Sequence, residues 1–308
     1  MNMSEPMHFN PGIRGQLLRD ESMASHVSWR SGGPVALAFI PADLPDLQMF
    51  MAQVPADQPV VFVGLGSNLL VRDGGFDGVI VLMHDTHGTM RMEGNLIFVE
   101  AGVASPKVAR FAANHAFAGA EFLAGIPGTI GGALAMNAGC YDAETWQVVD
   151  RVQTIDRKGV LRIRYPADFE IGYRHCASQA PDDEFFVAAW LRFLPGDRDA
   201  ARERIRVLLT QRANSQPLTL PNAGSVFRNP EGDHAARLIE ACGLKGHAIG
   251  GARISEKHAN FIVNPKGQGS AADIEALIHH ARTAVLERFG VALTPEVRII
   301  GKPRAEAA

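Results

Sequence analysis

The chain has 308 residues, 46% of them apolar and 20% charged, with a formal net charge of −3. That length allows two or three domains with real cores, and the small charge excludes global attraction to nucleic acid or an anionic membrane. Three widely spaced cysteines, Cys140, Cys176 and Cys242, argue against a disulfide scaffold or a cysteine-rich zinc site and fit a reducing, cytoplasmic compartment. The N-terminus has no basic segment followed by an apolar run, so no secretory signal is expected. Even the uncharged stretch 122–139 is broken by five glycines and Pro127, so no membrane span is expected either.

In chain order, the first two dozen residues are expected to be poorly structured until Trp29. Apolar runs over 59–64, 78–83 and 96–100 read as buried strands. A helix is expected over 105–117, opened by Ser-Pro with Val108, Phe111 and Ala112 on one face. Residues 148–156 and 160–164 flank Arg-Lys-Gly and read as a hairpin, and 185–193 as a strand. Pro195-Gly196-Asp197 then punctuates the chain. An arginine-rich helix is expected over 199–212, and a short one over 233–242 with an Asp cap and Gly243 past its end. A strand over 261–264, an amphipathic helix over 271–289 and a strand over 297–300 complete the reading. Strands dominate before residue 195 and alternate with helices afterwards, which puts a domain boundary near 195–200.

Two glycine-rich stretches stand out. Residues 64–75 read GLGSNLLVRDGG directly after a strand. Successive N–H groups at small residues can form an anion-binding nest, and Ser67 and Asn68 add donors. A plain turn explains the stretch about as well. It is neither the G-x-G-x-x-G fingerprint nor a P-loop. Residues 122–139 read FLAGIPGTIGGALAMNAG, without a charge. Backbone lying against a large flat ligand explains this better than a packing helix, which Pro127 and the glycines disfavour.

A third motif, residues 222–230, reads NAGSVFRNP. Gly224 lets the chain turn sharply and leaves the Ser225 hydroxyl uncrowded, with Arg228 and Asn229 close behind. A hydroxyl so placed suits proton donation to a bound anion, although on spacing alone an ordinary turn that caps the next helix explains the residues better. The His279-His280 pair reads as helix surface, and His84 and His87 lack a carboxylate or Cys partner, so no metal is assigned.

Together the segments 64–75, 124–141, Gly172-Tyr173-Arg174, 222–230, 243–264 and Pro295-Glu296-Val297-Arg298 closely resemble the UDP-N-acetylenolpyruvoylglucosamine reductase family. They follow the family's order from about Trp29 to Gly301. The resemblance implies an α+β fold: a vanillyl-alcohol-oxidase-type FAD-binding unit of two α+β subdomains, with a C-terminal α+β substrate domain. In this numbering that gives an extension at 1–28, the FAD-binding part at 29–196 with its subdomains split near 85, and the substrate domain at 197–308. It implies non-covalent FAD, with the pyrophosphate against Gly64, Gly66, Ser67, Asn68 and Leu69 and the flavin along Ile126, Pro127, Gly128, Thr129, Gly131 and Gly132. No His or Cys lies between residues 64 and 75 to attach it.

The implied reaction is NADPH-dependent reduction of UDP-N-acetylglucosamine enolpyruvate to UDP-N-acetylmuramate, a peptidoglycan precursor. Ser225, Arg174 and Glu296 are the implied catalytic residues. Ser225 gives its proton to carbon, Arg174 holds the substrate carboxylate, and Glu296 shares a proton with its pKa raised by burial. Asn229, His258, Arg212 and Tyr173 are the implied substrate contacts. A cytoplasmic monomer is expected, acting on small molecules without nucleic-acid or membrane partners. One departure stands out: residues 194–221 carry no tyrosine-bearing loop, and Gln216 stands where some members place a lysine, leaving Arg212 as its substitute. Two rivals remain: another FAD enzyme of the same fold, which leaves the Ser225, Arg174 and Glu296 set unexplained, and a silent nucleotide-sugar sensor.

Overall fold

The first sheet is built on a core of branched aliphatic side chains. The computed structural model describes residues 9, 11–84, 88–180 and 183–305. Strands β1 (Gln16–Ser22), β2 (Pro34–Ile40), β3 (Val60–Val63) and β5 (Phe76–Leu82) stand in the order β1-β2-β5-β3. The central strand β5 pairs in parallel with β2 and β3, and residues 78–82 are buried throughout, as a strand covered on both faces requires. The crossover from β2 to β3 runs through α1 (Leu44–Met51), whose Asp43 cap accepts from Asp46 N at 2.9 Å. Phe50 of α1 stacks on Phe39 of β2 with centroids 3.9 Å apart. Between β3 and β5 the short, buried β4 (Leu69–Val71) leaves this sheet for a partner far down the chain.

The expectation of a poorly structured N-terminus is corrected by β1, which pairs antiparallel with β2 from Gln16 to Ser22. It is an edge strand with mostly polar, exposed side chains. Its backbone bonds hold it, and they leave no apolar period in the sequence. Met23 and Val27, just after it, are buried.

The second sheet is antiparallel: Leu161–Arg164, Val149–Asp156, Glu184–Arg192, β7 (Leu96–Glu100), β6 (Met90–Glu93). The expected 148–164 hairpin is present, with Ile155 opposite Leu161. Helix α2 (Ser105–Asn114) shares a core with this sheet and ends earlier than the apolar spacing suggests, because Ala116 takes φ +56°. Within the uncharged stretch, a 3-10 turn over Glu121–Gly125 is followed by α3 (Ile130–Ala135), which buries Ile130, Ala133 and Leu134 in the same core.

Helix α4 (Arg198–Ser215) sends Ala201 and Ile205 into that core too. The boundary expected near 195–200 therefore falls before a helix whose apolar side belongs with the preceding strands. The rest of the chain packs around α5 (Ala235–Ala241), α6 (Ala271–Phe289) and a small sheet of Ala248–Ile249, Ala252–Ile254 and Ile262–Val263. Ser270 and Asp273 form a capping box at the start of α6, and Gly290 at φ +69° ends it. The expected Asp233 cap of α5 is also corrected. Asp233 pairs with Arg237, and Asn229 Oδ1 accepts from Ala235 N at 3.1 Å. Finally Arg298–Ile300 pairs in parallel with β4, closing the chain back onto the first glycine-rich loop.

Candidate active site

The loop after β3 and the turn before α3 interlock because neither has side chains to keep them apart. A Cβ on Gly64 would lie 2.2 Å from Thr129 Oγ1, and one on Gly128 (φ +117°) would lie 2.6 Å from Ser67 Oγ. Ser67 Oγ donates to Pro127 O at 2.9 Å, stitching the loops together. Gly66 takes φ +58°, and a Cβ there would lie 2.3 Å from His26 O. In this conformation the N–H groups of Leu65, Gly66, Ser67 and Asn68 donate to no protein acceptor among the described residues. Four unsatisfied donors in a row are an anion seat.

Beside them lies a cavity of about 300 Å³. Its second wall is almost free of side chains: a Cβ on Gly132 would meet nothing nearer than Thr129 Oγ1 at 3.9 Å, and Pro127 and Ala135 are exposed. A flat apolar ring system fits against such a wall, and its anionic linker fits the free N–H row. The residues present therefore fit FAD.

Three groups distant in sequence reach this cavity. Arg174 sits at the tip of the hairpin formed by Phe169–Gly172 and His175–Ser178, at φ +52°. A non-glycine residue there costs roughly 1–2 kcal/mol, which the surroundings offset. Its Nη2 donates to Gly139 O at 3.0 Å, and its own carbonyl accepts from Arg228 Nη2 at 3.0 Å. Arg174 Nε stands 2.9 Å from Glu296 Oε1, but the N–H is not aimed at the oxygen, so the contact is an ion pair without a hydrogen bond. Burial pushes the Glu296 carboxyl above its ordinary range, against the opposing pull of Arg174 and Arg228.

The Ser225 turn is held just as firmly. Gly224 takes φ +73° and its N–H reaches Asn222 Oδ1 at 2.9 Å. Buried Asn260 bonds both ways to Phe227, and Glu296 N donates to Val226 O at 2.7 Å. Ser225 and Glu296 are thus locked on neighbouring backbones. The Ser225 hydroxyl has no protein partner among the described residues and lines the cavity.

Of the sequence-predicted residues, the cavity also gathers Gly64, Gly66, Ser67, Asn68, Leu69, Ile126, Pro127, Gly128, Thr129, Gly132 and Arg212. Arg212 is pulled below its ordinary pKa by burial and donates to Gln216 Oε1 at 2.7 Å. Four residues lie off the lining. Gly131 N donates to Ala101 O at 2.9 Å, a structural bond. Tyr173 is half exposed, and its ring packs by the Arg174 guanidinium. Asn229 is exposed and caps α5. His258 packs edge-on against Phe261 at 4.8 Å, and burial lowers its pKa. Phe261 itself reaches the cavity.

Sequence reasoning missed Arg298, Cys140 and Phe261 on the lining. Arg298 opens the last strand, just after Glu296, and reaches the cavity through the pairing of that strand with β4. Nothing local marks Cys140 or Phe261. Among the described residues no group of three or more His, Cys, Asp or Glu converges as a metal site, and His87 lies outside them.

Glycine walls, an N–H nest and a half-buried arginine–carboxylate pair together define an FAD-binding oxidoreductase. Residues 35–164 match the FAD binding domain model, and residues 216–300 match that of the UDP-N-acetylenolpyruvoylglucosamine reductase C-terminal domain. The chain is 54% identical over 306 residues to the UDP-N-acetylenolpyruvoylglucosamine reductase of Thiobacillus denitrificans, covering 95% of this chain and 94% of the relative. It is 53% identical to that of Nitrosospira multiformis, covering 98% and 94%. The crystal structure of the Thermus caldophilus reductase superposes with a TM-score of 0.79 at 29% identity, covering 93% of this chain and 98% of that one. The chain belongs to the UDP-N-acetylenolpyruvoylglucosamine reductase family, whose work lies in peptidoglycan precursor synthesis. No helix among the described residues is long and apolar enough to cross a membrane.

Proposed function

We propose that this chain reduces the enolpyruvyl ether of UDP-N-acetylglucosamine to UDP-N-acetylmuramate at the expense of NADPH, as a cytoplasmic monomer with non-covalently bound FAD. When bound, FAD supplies the hydride. The observation that carries the reading is the convergence of Arg174, Ser225 and Glu296 on one cavity from three separate parts of the chain.

Hydride arrival at the vinyl CH2 carbon leaves negative charge on the adjacent carbon and its carboxylate. The Arg174 guanidinium, already oriented by Gly139 O, holds those oxygens and stabilises the enolate. Ser225 gives its proton to that carbon from the cavity wall. An ionised Glu296 would repel the developing charge. Burial raises its pKa and so lowers the cost of protonating it, and once protonated it can donate towards the enolate or replace the Ser225 proton. Gln216 and Arg212, both on the cavity lining, are the groups to meet the diphosphate, with Asn229, His258 and Tyr173 as further substrate contacts. The cofactor-binding unit extends through α4, and the substrate domain begins at about residue 216, where the family's C-terminal match starts.

Ser225→Ala tests the reading. NADPH should bleach the bound flavin as in the parent, while reoxidation by the enolpyruvyl nucleotide slows by roughly 100-fold or more, as for loss of a general acid. Unimpaired turnover would remove Ser225 from the mechanism.

A further inference from the structure

The mechanism uses Arg174 but does not explain what holds it. Its hairpin projects Ile171, Tyr173 and His175 into solvent, and its tip is in a backbone conformation that arginine does not favour. A two-stranded ribbon of this kind is marginal on its own. Something outside it must set the position of the tip.

We propose that Asn137 is the positioning residue for Arg174, a role that rests on Arg174 being the group that holds the substrate carboxylate. Asn137 follows α3, is 1% exposed, and takes φ +44°, a conformation asparagine tolerates better than most residues. Its side chain is fully used. Nδ2 donates to Gly172 O at 3.0 Å and to Glu144 Oε2 at 2.8 Å, and Oδ1 accepts from Trp146 N at 3.1 Å. Gly172 is the last residue before the Tyr173-Arg174 turn, so the first of these bonds grips the hairpin at its tip. The other two fix Asn137 to the 144–146 segment, where Trp146 is buried and its indole donates to Leu134 O of α3 at 2.9 Å.

The arrangement ties the arginine to the glycine-poor end of the cofactor wall. One side chain on the α3 exit holds the tip's backbone. Two residues on, Gly139 O receives the arginine's Nη2, and a Cβ at Gly139 would lie 3.2 Å from Arg174 Nη1. The segment that lines the cavity therefore also sets where the guanidinium stands. Asparagine is the side chain that can donate twice and accept once at this place while keeping a positive φ.

Asn137→Gly keeps the backbone conformation and deletes all three bonds. Asn137→Asp keeps the acceptor for Trp146 N but turns the donor into an oxygen facing Gly172 O and the Glu144 carboxylate. Glu144→Ala is the control that removes one of the two bonds to the 144–146 segment, leaving the Trp146 N bond to anchor Asn137 and the Gly172 bond in place. Amide hydrogen exchange on the flavin-loaded protein reads the hairpin directly. Residues 169–178 should exchange roughly 10-fold faster in both Asn137 variants, the effect of one lost buried hydrogen bond, with 149–164 unchanged. Glu144→Ala should stay close to the parent. In the same variants NADPH should still bleach the flavin at the parent rate, while reoxidation by the enolpyruvyl nucleotide slows by roughly 10- to 100-fold. Unchanged exchange over 169–178 would overturn the role, and so would equal slowing of both steps. If the parent's reduced flavin is not reoxidised by the enolpyruvyl nucleotide, the proposed reaction fails, while the exchange data still decide whether Asn137 holds the hairpin.

Discussion

Glu296 is a cavity carboxyl whose chemistry is altered by its surroundings. Burial raises its pKa, so the folded state binds a proton more tightly than the unfolded chain does. Its contribution to stability is therefore complete below the unfolded carboxyl pKa and is lost as pH rises through the raised folded value. Glu296→Gln should flatten that part of the stability–pH curve, measured by urea midpoints across the acid range. It should also slow turnover most where the parent carboxyl is protonated. A second residue-scale prediction concerns Gly139. Its missing Cβ leaves room for Arg174 Nη1 and for Ala143 O, which a Cβ would approach to 2.6 Å. Gly139→Ala should shift the loop and cut kcat by roughly 10-fold or more, because in the proposed reaction a displaced guanidinium no longer meets the substrate carboxylate. Steady-state kinetics with normal flavin content would show it.

At the scale of elements, a few polar side chains decide how the strands and helices meet. Glu184, with a side chain only 3% exposed, accepts from Thr154 Oγ1 at 2.6 Å and Arg164 Nε at 3.0 Å, clamping three strands of the second sheet. Hydrogen bonding to Arg164 holds its carboxyl below the usual range despite burial. Glu184→Ala strands Arg164 and Thr154 and should destabilise the fold by about 3 kcal/mol, read from denaturant unfolding, with little change in turnover of the folded enzyme. Asn229 offers a contrast. Its carboxamide caps α5, so Asn229→Ala should cost about 1 kcal/mol of stability. A rise in KM beyond that loss of stability would reveal a substrate contact as well.

Across the whole molecule, the C-terminal part is locked to the cofactor-binding part by the ends of the chain. Trp29, fully buried, belongs to the C-terminal core and donates from Nε1 to Ile262 O at 2.8 Å. Arg72 pairs with Glu275 of α6, Asp73 accepts from Ala271 N and Ala272 N at the start of that helix, and Arg298–Ile300 completes a ladder with β4. The residues following the N–H nest are thus the ones the substrate-side helix rests on. Trp29→Ala should destabilise the protein by about 3–5 kcal/mol and weaken flavin retention, since the nest loop loses its support. Equilibrium unfolding with and without added FAD would measure both. Just past the expected break near 195–200, α4 is polar over most of its surface, and only contact with α2 and the 121–125 turn shows which core its narrow apolar stripe joins.

Local sequence was sufficient for much of the protein. The apolar runs that became β3, β5 and β7, the capped amphipathic α6, the two glycine-rich stretches and the Ser225 turn are all specified by neighbours a few residues apart, through periodicity, capping and φ preference. The order of the motifs identified the family. What only the tertiary structure decided is which of these parts face one another. The edge strand β1, the α5 cap from Asn229, the place of Arg298 and Phe261 on the cavity and the grip of Asn137 on the Arg174 hairpin all depend on contacts between residues distant in sequence. Such contacts leave no period or motif behind, because a hydrogen bond across the fold constrains the separation of two atoms in space and not the spacing of two letters in the chain.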